Sequence, residues 1–131
     1  MILLNTYAPI RYWLHEPWTY VGAAFVFMGF LIIFNCILLF RRLRTPVHPG
    51  VKAKVLITQG VYRYSRNPIY LGLVITLTGI GLFLGSVSPL FIIPLFTWII
   101  HTRFILREEK WLEEWFGEVY LEYKSKTGRW L

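Results

Sequence analysis

Apolar and polar positions fall into long blocks along this chain. No Lys, Arg, Asp or Glu occurs from 17 to 40, and the same holds for the 36 residues from Asn67 to Thr102. A bilayer core about 30 Å thick takes roughly 20 apolar residues per helix, so the first block predicts one span and the second a tight helical hairpin. The expected fold is all-α: an integral membrane helical bundle with three transmembrane helices. Residues 1–16 are too short and too broken by Pro9, Arg11, His15 and Glu16 to cross, and they read as an interfacial segment rich in Tyr and Trp.

The pattern changes after the hairpin. From Glu108 to Lys124 the apolar residues Trp111, Leu112, Trp115, Phe116, Val119, Tyr120 and Tyr123 recur at close to the helical period, with acids and lysines between them. This predicts an amphipathic helix, lying against the headgroup region or capping the bundle. No breaker stands between Pro94 and Phe116, so the third span and this tail can form one long helix. Gly117 is its weakest point.

Composition agrees with the blocks. Of 131 residues, 56% are hydrophobic, and the mean hydropathy of +0.50 lies above that of an ordinary soluble domain. One domain covers 1–131: interfacial segment 1–16, first span 17–40, loop 41–66, hairpin 67–106 and tail 107–131. Met1 to Tyr20 has no basic leader followed by a short apolar core and a cleavage site, so the first span is expected to stay as an anchor. The single cysteine, Cys36, sits inside that span, where packing is the simplest role for a lone thiol.

Net charge is +7, but the basic residues hug the ends of the spans, which argues for topology and membrane lipids rather than nucleic acid. Arg41, Arg42, Arg44, Lys52, Lys54, Arg63 and Arg66 lie between the first two spans, whereas the hairpin turn Gly85-Ser86-Val87-Ser88 is uncharged. By the positive-inside rule, loop and tail are cytoplasmic and the N-terminus is outside. Any chemistry then belongs to one membrane face.

Two places carry candidate chemistry. At the second span, Asn67 suits the N-cap and Pro68 the first helical position. The free N–H groups of that helix start, with Arg63 and Arg66 beside it, form an anion-binding corner, although Arg before a span and Asn-Pro at a helix start are also ordinary topology. Gly72, Thr76 and Gly79 give the same helix a small-residue face for close packing or a bound cofactor. At the third span, Thr97, His101 and Glu108 fall within about 40° of one another at about 100° per residue. His101 and Arg103 lie about 18 to 21 Å into the core, where ionisable groups are functional candidates; the alternatives are a snorkelling arginine and a histidine bonded to a neighbouring helix. The acids Glu108 and Glu109, close to an arginine-rich interface, suit a cationic or hydroxylated ligand.

The run Gly60-Val61-Tyr62-Arg63-Tyr64-Ser65-Arg66-Asn67-Pro68-Ile69-Tyr70-Leu71-Gly72, then Glu108-Glu109 before Leu112, then Phe116-Gly117-Glu118-Val119-Tyr120-Leu121-Glu122-Tyr123-Lys124 and the closing Arg129-Trp130 resemble the isoprenylcysteine carboxyl methyltransferase and phospholipid methyltransferase group of membrane enzymes. The resemblance covers roughly residues 55 to 131. It implies S-adenosylmethionine-dependent methyl transfer to a lipophilic small molecule or lipid, with the cofactor bound by Tyr62, Arg63, Arg66, Asn67, Pro68, Tyr70, Gly72, Glu108 and Glu109. The helix start with Arg63 or Arg66 would take the methionyl carboxylate, Glu108 and Glu109 the ribose or amino group, and Tyr62, Tyr70 and Trp111 the adenine. Arg103 would orient an acidic substrate, and His101 is the candidate buried base; no metal is required. Asn67 stands where the prenylcysteine enzymes have His, and an amide cannot act as a base at neutral pH, so the resemblance alone does not fix the substrate: a prenylcysteine carboxylate, a phospholipid amine and a small thiol all stay open. Larger relatives carry more spans before this core, a gap that self-association would fill. Two rival classes remain, a non-catalytic membrane scaffold that binds a partner through hairpin and tail, and a small transporter assembled around His101 and Arg103.

Overall fold

The computed structural model describes residues 18–47, 50–85 and 88–131. The expected interfacial segment 1–16 and the centre of the hairpin turn, Ser86 and Val87, lie outside the described residues. Helix α1 runs Trp18–Arg42, and a short 3-10 turn spans Gly60–Arg63. Helix α2 covers Pro68–Leu84 and α3 Pro89–Ile100. A π-helical turn, His101–Ile105, carries α3 without interruption into α4, Leu106–Phe116, and α5 is Glu118–Lys126. No strand occurs among the described residues.

Helices α1 and α2 pack antiparallel through glycines spaced two turns apart. A Cβ at Gly79 would stand 2.6 Å from both the Gly22 carbonyl oxygen and the Val26 nitrogen, and one at Gly72 would stand 2.8 Å from Ile33 Cγ1. The small-residue face of α2 is thus a packing face. Backbones this close gain dispersion contacts that no larger residue allows, which is how helices associate where no hydrophobic drive separates them from their surroundings. Gly85, at φ 61°, ends α2, its N–H donating to the carbonyls of Gly81 and Leu82.

By length and apolar composition, one described helix is sufficient to cross a bilayer, over Thr19–Arg42; α2 is shorter, at 17 residues. Large apolar side chains stand exposed around the bundle: Phe27, Phe30 and Phe34 on α1, Phe83 on α2, Phe91 and Trp98 on α3. A surface this apolar calls for a non-aqueous environment or a partner.

Two sequence expectations change in the tail. The single amphipathic helix over Glu108–Lys124 is broken at Gly117, whose φ of 55° and ψ of −124° belong to a region that glycine reaches freely. The polar stripe of Thr97, His101 and Glu108 does not form one face, because the π turn inserts a residue. Ile100 is buried, and a straight α-helix would bury Phe104 and Arg107 after it; both are exposed, while Ile105 and Glu109 are buried. The buried face has moved one residue along the chain, a rotation of about 100°.

Candidate functional site

A cavity of about 370 Å³ opens where the end of α1, the loop after it, the start of α2 and the inner face of α4 meet. One wall is polar: Tyr62, Arg66, Asn67, Tyr70 and Glu108. The opposite side is apolar, with Phe40 from α1, Val47, Val51, Val55 and Ile57 from the loop, and Trp111, Leu112 and Trp115 from α4. The indoles of Trp111 and Trp115 stack at 6.1 Å, an i, i+4 pair on one helix face. Cys36, Ile57 and Tyr62 form a buried cluster at the floor with Phe40 and Ile69 packed on it, so Cys36 serves packing.

The chain's end is clamped over the residues that feed α2. The Arg66 N–H donates to Gly128 O at 3.0 Å, the Tyr123 hydroxyl to Tyr62 O at 2.7 Å, and the Asn67 Nδ2 group to Arg129 O at 3.1 Å. Asn67 occupies the N-cap position but makes no side-chain cap bond. Its amide instead spans the chain, donating also to Glu109 Oε1 at 3.4 Å.

The adjacent acids have different partners. Glu109 is buried and does not line the cavity. Arg129 grips it with two donors, Nε to Oε1 at 3.0 Å and a terminal nitrogen to Oε2 at 3.0 Å, and Arg66 stands 3.6 Å from the same carboxylate. Pairing with Glu109 raises the Arg129 pKa above its already high value. Glu108 faces the cavity and accepts from the Tyr70 hydroxyl at 2.5 Å. Burial pushes its pKa up, partly offset by that hydrogen bond, because a half-dry carboxylate prefers its proton. Burial also raises the phenol of Tyr62, so it stays a neutral donor.

Behind the polar wall, the cluster around Glu109 holds more positive than negative charge. Two guanidiniums, Arg66 and Arg129, share one carboxylate. The Arg66 side chain is 9% exposed, and the terminal nitrogen that stands 3.6 Å from Glu109 has, among the described residues, no partner at full hydrogen-bond distance. A guanidinium that shares its one carboxylate with a second arginine keeps donor capacity for a further anion.

Of the residues singled out in the sequence, Tyr62, Arg66, Asn67, Tyr70 and Glu108 line the cavity, as does Trp111. Arg63, Pro68, Gly72, Glu109, His101 and Arg103 do not. Arg63 and Arg103 are exposed, His101 is half-buried, Pro68 is buried, and Gly72 meets α1. Sequence reasoning assigned no site role to Arg129, Tyr123, Trp115 or the loop valines. Arg129 and Tyr123 lie within segments that carried the resemblance, but their pairing partners are 20 and 61 residues away along the chain.

The fold is that of a known class of helical methyltransferase structure. It superposes with a TM-score of 0.77 and 22% identity on the structure titled "eukaryotic intramembrane Ras methyltransferase ICMT (isoprenylcysteine carboxyl methyltransferase)", covering 99% of this chain and 47% of that one. The phospholipid methyltransferase family signature matches residues 17–119, and the chain belongs to that family. Among its relatives are the protein-S-isoprenylcysteine O-methyltransferases of Saccharomyces cerevisiae, 40% identical over 74 residues (56% of this chain, 31% of the relative), and of Schizosaccharomyces pombe, 33% over 76 residues (58% and 32%). A probable enzyme of the same name from Oryza sativa subsp. indica is 34% identical over 119 residues, 87% of this chain and 62% of that relative. The chain spans about a third of the length of the two yeast relatives.

Proposed function

We propose that this chain is an integral membrane methyltransferase that transfers a methyl group from S-adenosylmethionine to a lipophilic substrate. In this reading 1–131 is one domain with three spans, 17–40 and the hairpin 67–106. The N-terminus lies outside and the cavity and tail are cytoplasmic, in keeping with the basic 41–66 segment and the uncharged hairpin turn. The carrying observation is the charge pattern of the cavity: a buried guanidinium at Arg66 that shares the Glu109 carboxylate with Arg129 and, on the facing helix α4, a carboxyl at Glu108 held by Tyr70 from the first turn of α2.

An amino-acid end with a carboxylate and an ammonium fits those two poles. The cavity volume falls within the roughly 300–1,000 Å³ of small-molecule sites, and the aromatic walls offer faces for a planar base. Arg66 and the N–H groups opening α2 take the carboxylate, and Glu108 takes the ammonium or a ribose hydroxyl. Glu109 acts from behind: with Arg129 and Asn67 it fixes the position of Arg66. When bound, S-adenosylmethionine supplies an activated methyl on a sulfonium, open to in-line displacement by an oxygen, nitrogen or sulfur atom. The protein's share is alignment and exclusion of water, the larger part of what such a reaction needs. His101 and Arg103 stand outside the cavity and receive no step in this scheme. The apolar wall accepts the hydrophobic part of the substrate, whether a prenylcysteine carboxylate, a phospholipid amine or a thiol.

Calorimetry with S-adenosylhomocysteine in detergent tests the placement. Arg66→Gln and Glu108→Gln should each weaken binding by roughly 10- to 100-fold, the worth of a hydrogen bond to a charged group; undiminished affinity in both would sink it. Labelled-methyl transfer to a total lipid extract and to hydrophobic thiols and acids then identifies the acceptor.

A further inference from the structure

We propose that Tyr120 is a positioning residue for the methyl-donor site: its hydroxyl, set behind the cavity wall, accepts from the Arg66 guanidinium and aims that group at the carboxylate of the ligand. Tyr120 is fully buried, at 0% exposure, and does not line the cavity. It sits on α5 one turn before Tyr123, the two rings edge to face at 6.1 Å. Tyr123 in turn donates to Tyr62 O at 2.7 Å and to Ser65 O at 3.4 Å. This holds the Tyr120 ring against the segment that presents Arg66. Apart from each other, neither the Tyr120 hydroxyl nor Arg66 Nε has a hydrogen-bond partner among the described residues.

A phenol suits this place better than the alternatives. Packing alone would be met by phenylalanine, and a hydroxyl in a dry interior is costly unless it is bonded. Burial above all raises the Tyr120 pKa; the Glu109 charge adds to this, and the hydrogen bond with Arg66 offsets part of it. The group therefore stays a neutral acceptor at neutral pH. Glu109 is already gripped by two donors of Arg129, and a further carboxylate beside Arg66 would neutralise it. A phenol orients the guanidinium and leaves its positive charge for an incoming anion. Helix α5 carries the hydroxyl to this position because the tail breaks at Gly117, and Lys124 Nζ, 2.6 Å from Glu113 Oε1, braces α5 against α4 across the break.

The inference rests on the methyl-donor reading above, and a pair of ligands separates it from a structural role. S-adenosylhomocysteine carries the carboxylate, whereas 5′-methylthioadenosine shares the adenosine and the thioether but has none. Both are titrated by calorimetry in detergent into the unsubstituted chain, Tyr120→Phe, Arg66→Gln and the double variant. Tyr120→Phe should weaken S-adenosylhomocysteine about tenfold, the lower end of what a hydrogen bond to a charged group is worth, and leave 5′-methylthioadenosine unchanged. In the Arg66→Gln background the same change should cost nothing further, as expected of two residues that act through one contact. An equal loss for both ligands, an equal loss with and without Arg66, or undiminished affinity for both would reduce Tyr120 to a packing residue and overturn the proposal while leaving the donor site standing. A Tyr120→Phe chain that no longer folds would do the same. No binding of either ligand by the unsubstituted chain would overturn the donor reading and this proposal with it.

Discussion

The two halves of the molecule are held by opposite means. Where α1 crosses α2, glycine meets backbone and the contact is a matter of shape. Where residues 62–70, 108–115 and 123–129 meet, the contact is a matter of charge and donor count, centred on Glu109. A shape contact fails when an atom is added, and a charge contact fails when one is removed.

Five substitutions, one of them a second-site change, probe that contrast in decreasing order of effect. Gly79→Leu adds a branched side chain where even a Cβ would sit 2.6 Å from backbone; it should separate α1 from α2 and abolish the protease-resistant core. Glu109→Ala strands two guanidiniums and should cost about 3–5 kcal/mol, read as a loss of thermal stability, with Arg129→Ala in addition restoring part of it. Glu108→Gln should do the reverse of its neighbour, keeping or raising stability while weakening ligand binding. Lys126→Ala breaks only an exposed i, i+4 pair with Glu122, and should leave the melting temperature unchanged.

The pH dependence of Glu108 has a definite sign. Its pKa is raised in the folded chain, so the fold holds this proton more tightly than the unfolded state does. The destabilisation is absent below the ordinary carboxylate range and grows as pH rises from there through the raised value. Binding of a cationic group requires the ionised form, so affinity should climb over that same interval, and Glu108→Gln should flatten both curves.

Much of the architecture was legible because it is written locally. Uncharged runs marked the helices and Asn67-Pro68 marked the start of α2, whereas the tail read as one amphipathic helix with Gly117 as its weakest point and not as a break. Tyr62, Arg66, Asn67, Tyr70 and Glu108 were legible because they cluster at the two ends of the hairpin. What was hidden depends on phase and on distant pairing. No residue type announces a π turn, so Glu108 was placed on a stripe with His101 that the structure divides. Glu108 and Glu109 read alike in sequence, and only the positions of Tyr70 and Arg129 separate the cavity acid from the buried anchor. The N-cap reading of Asn67 located the helix start correctly but missed the side chain's use, since its partners arrive from the far end of the chain.

The wide turn at His101–Ile105 also makes the helix tolerant of a change in its own length. It stores one residue beyond what the buried face requires, so losing exposed Thr102 would let the turn tighten to ordinary α geometry with Glu108 still pointing inward. Elsewhere in a helix a single deletion swings everything downstream by about 100°. Here the slack would take up the error, and the acid wall would be insulated from a kind of mutation that ordinarily scrambles a site.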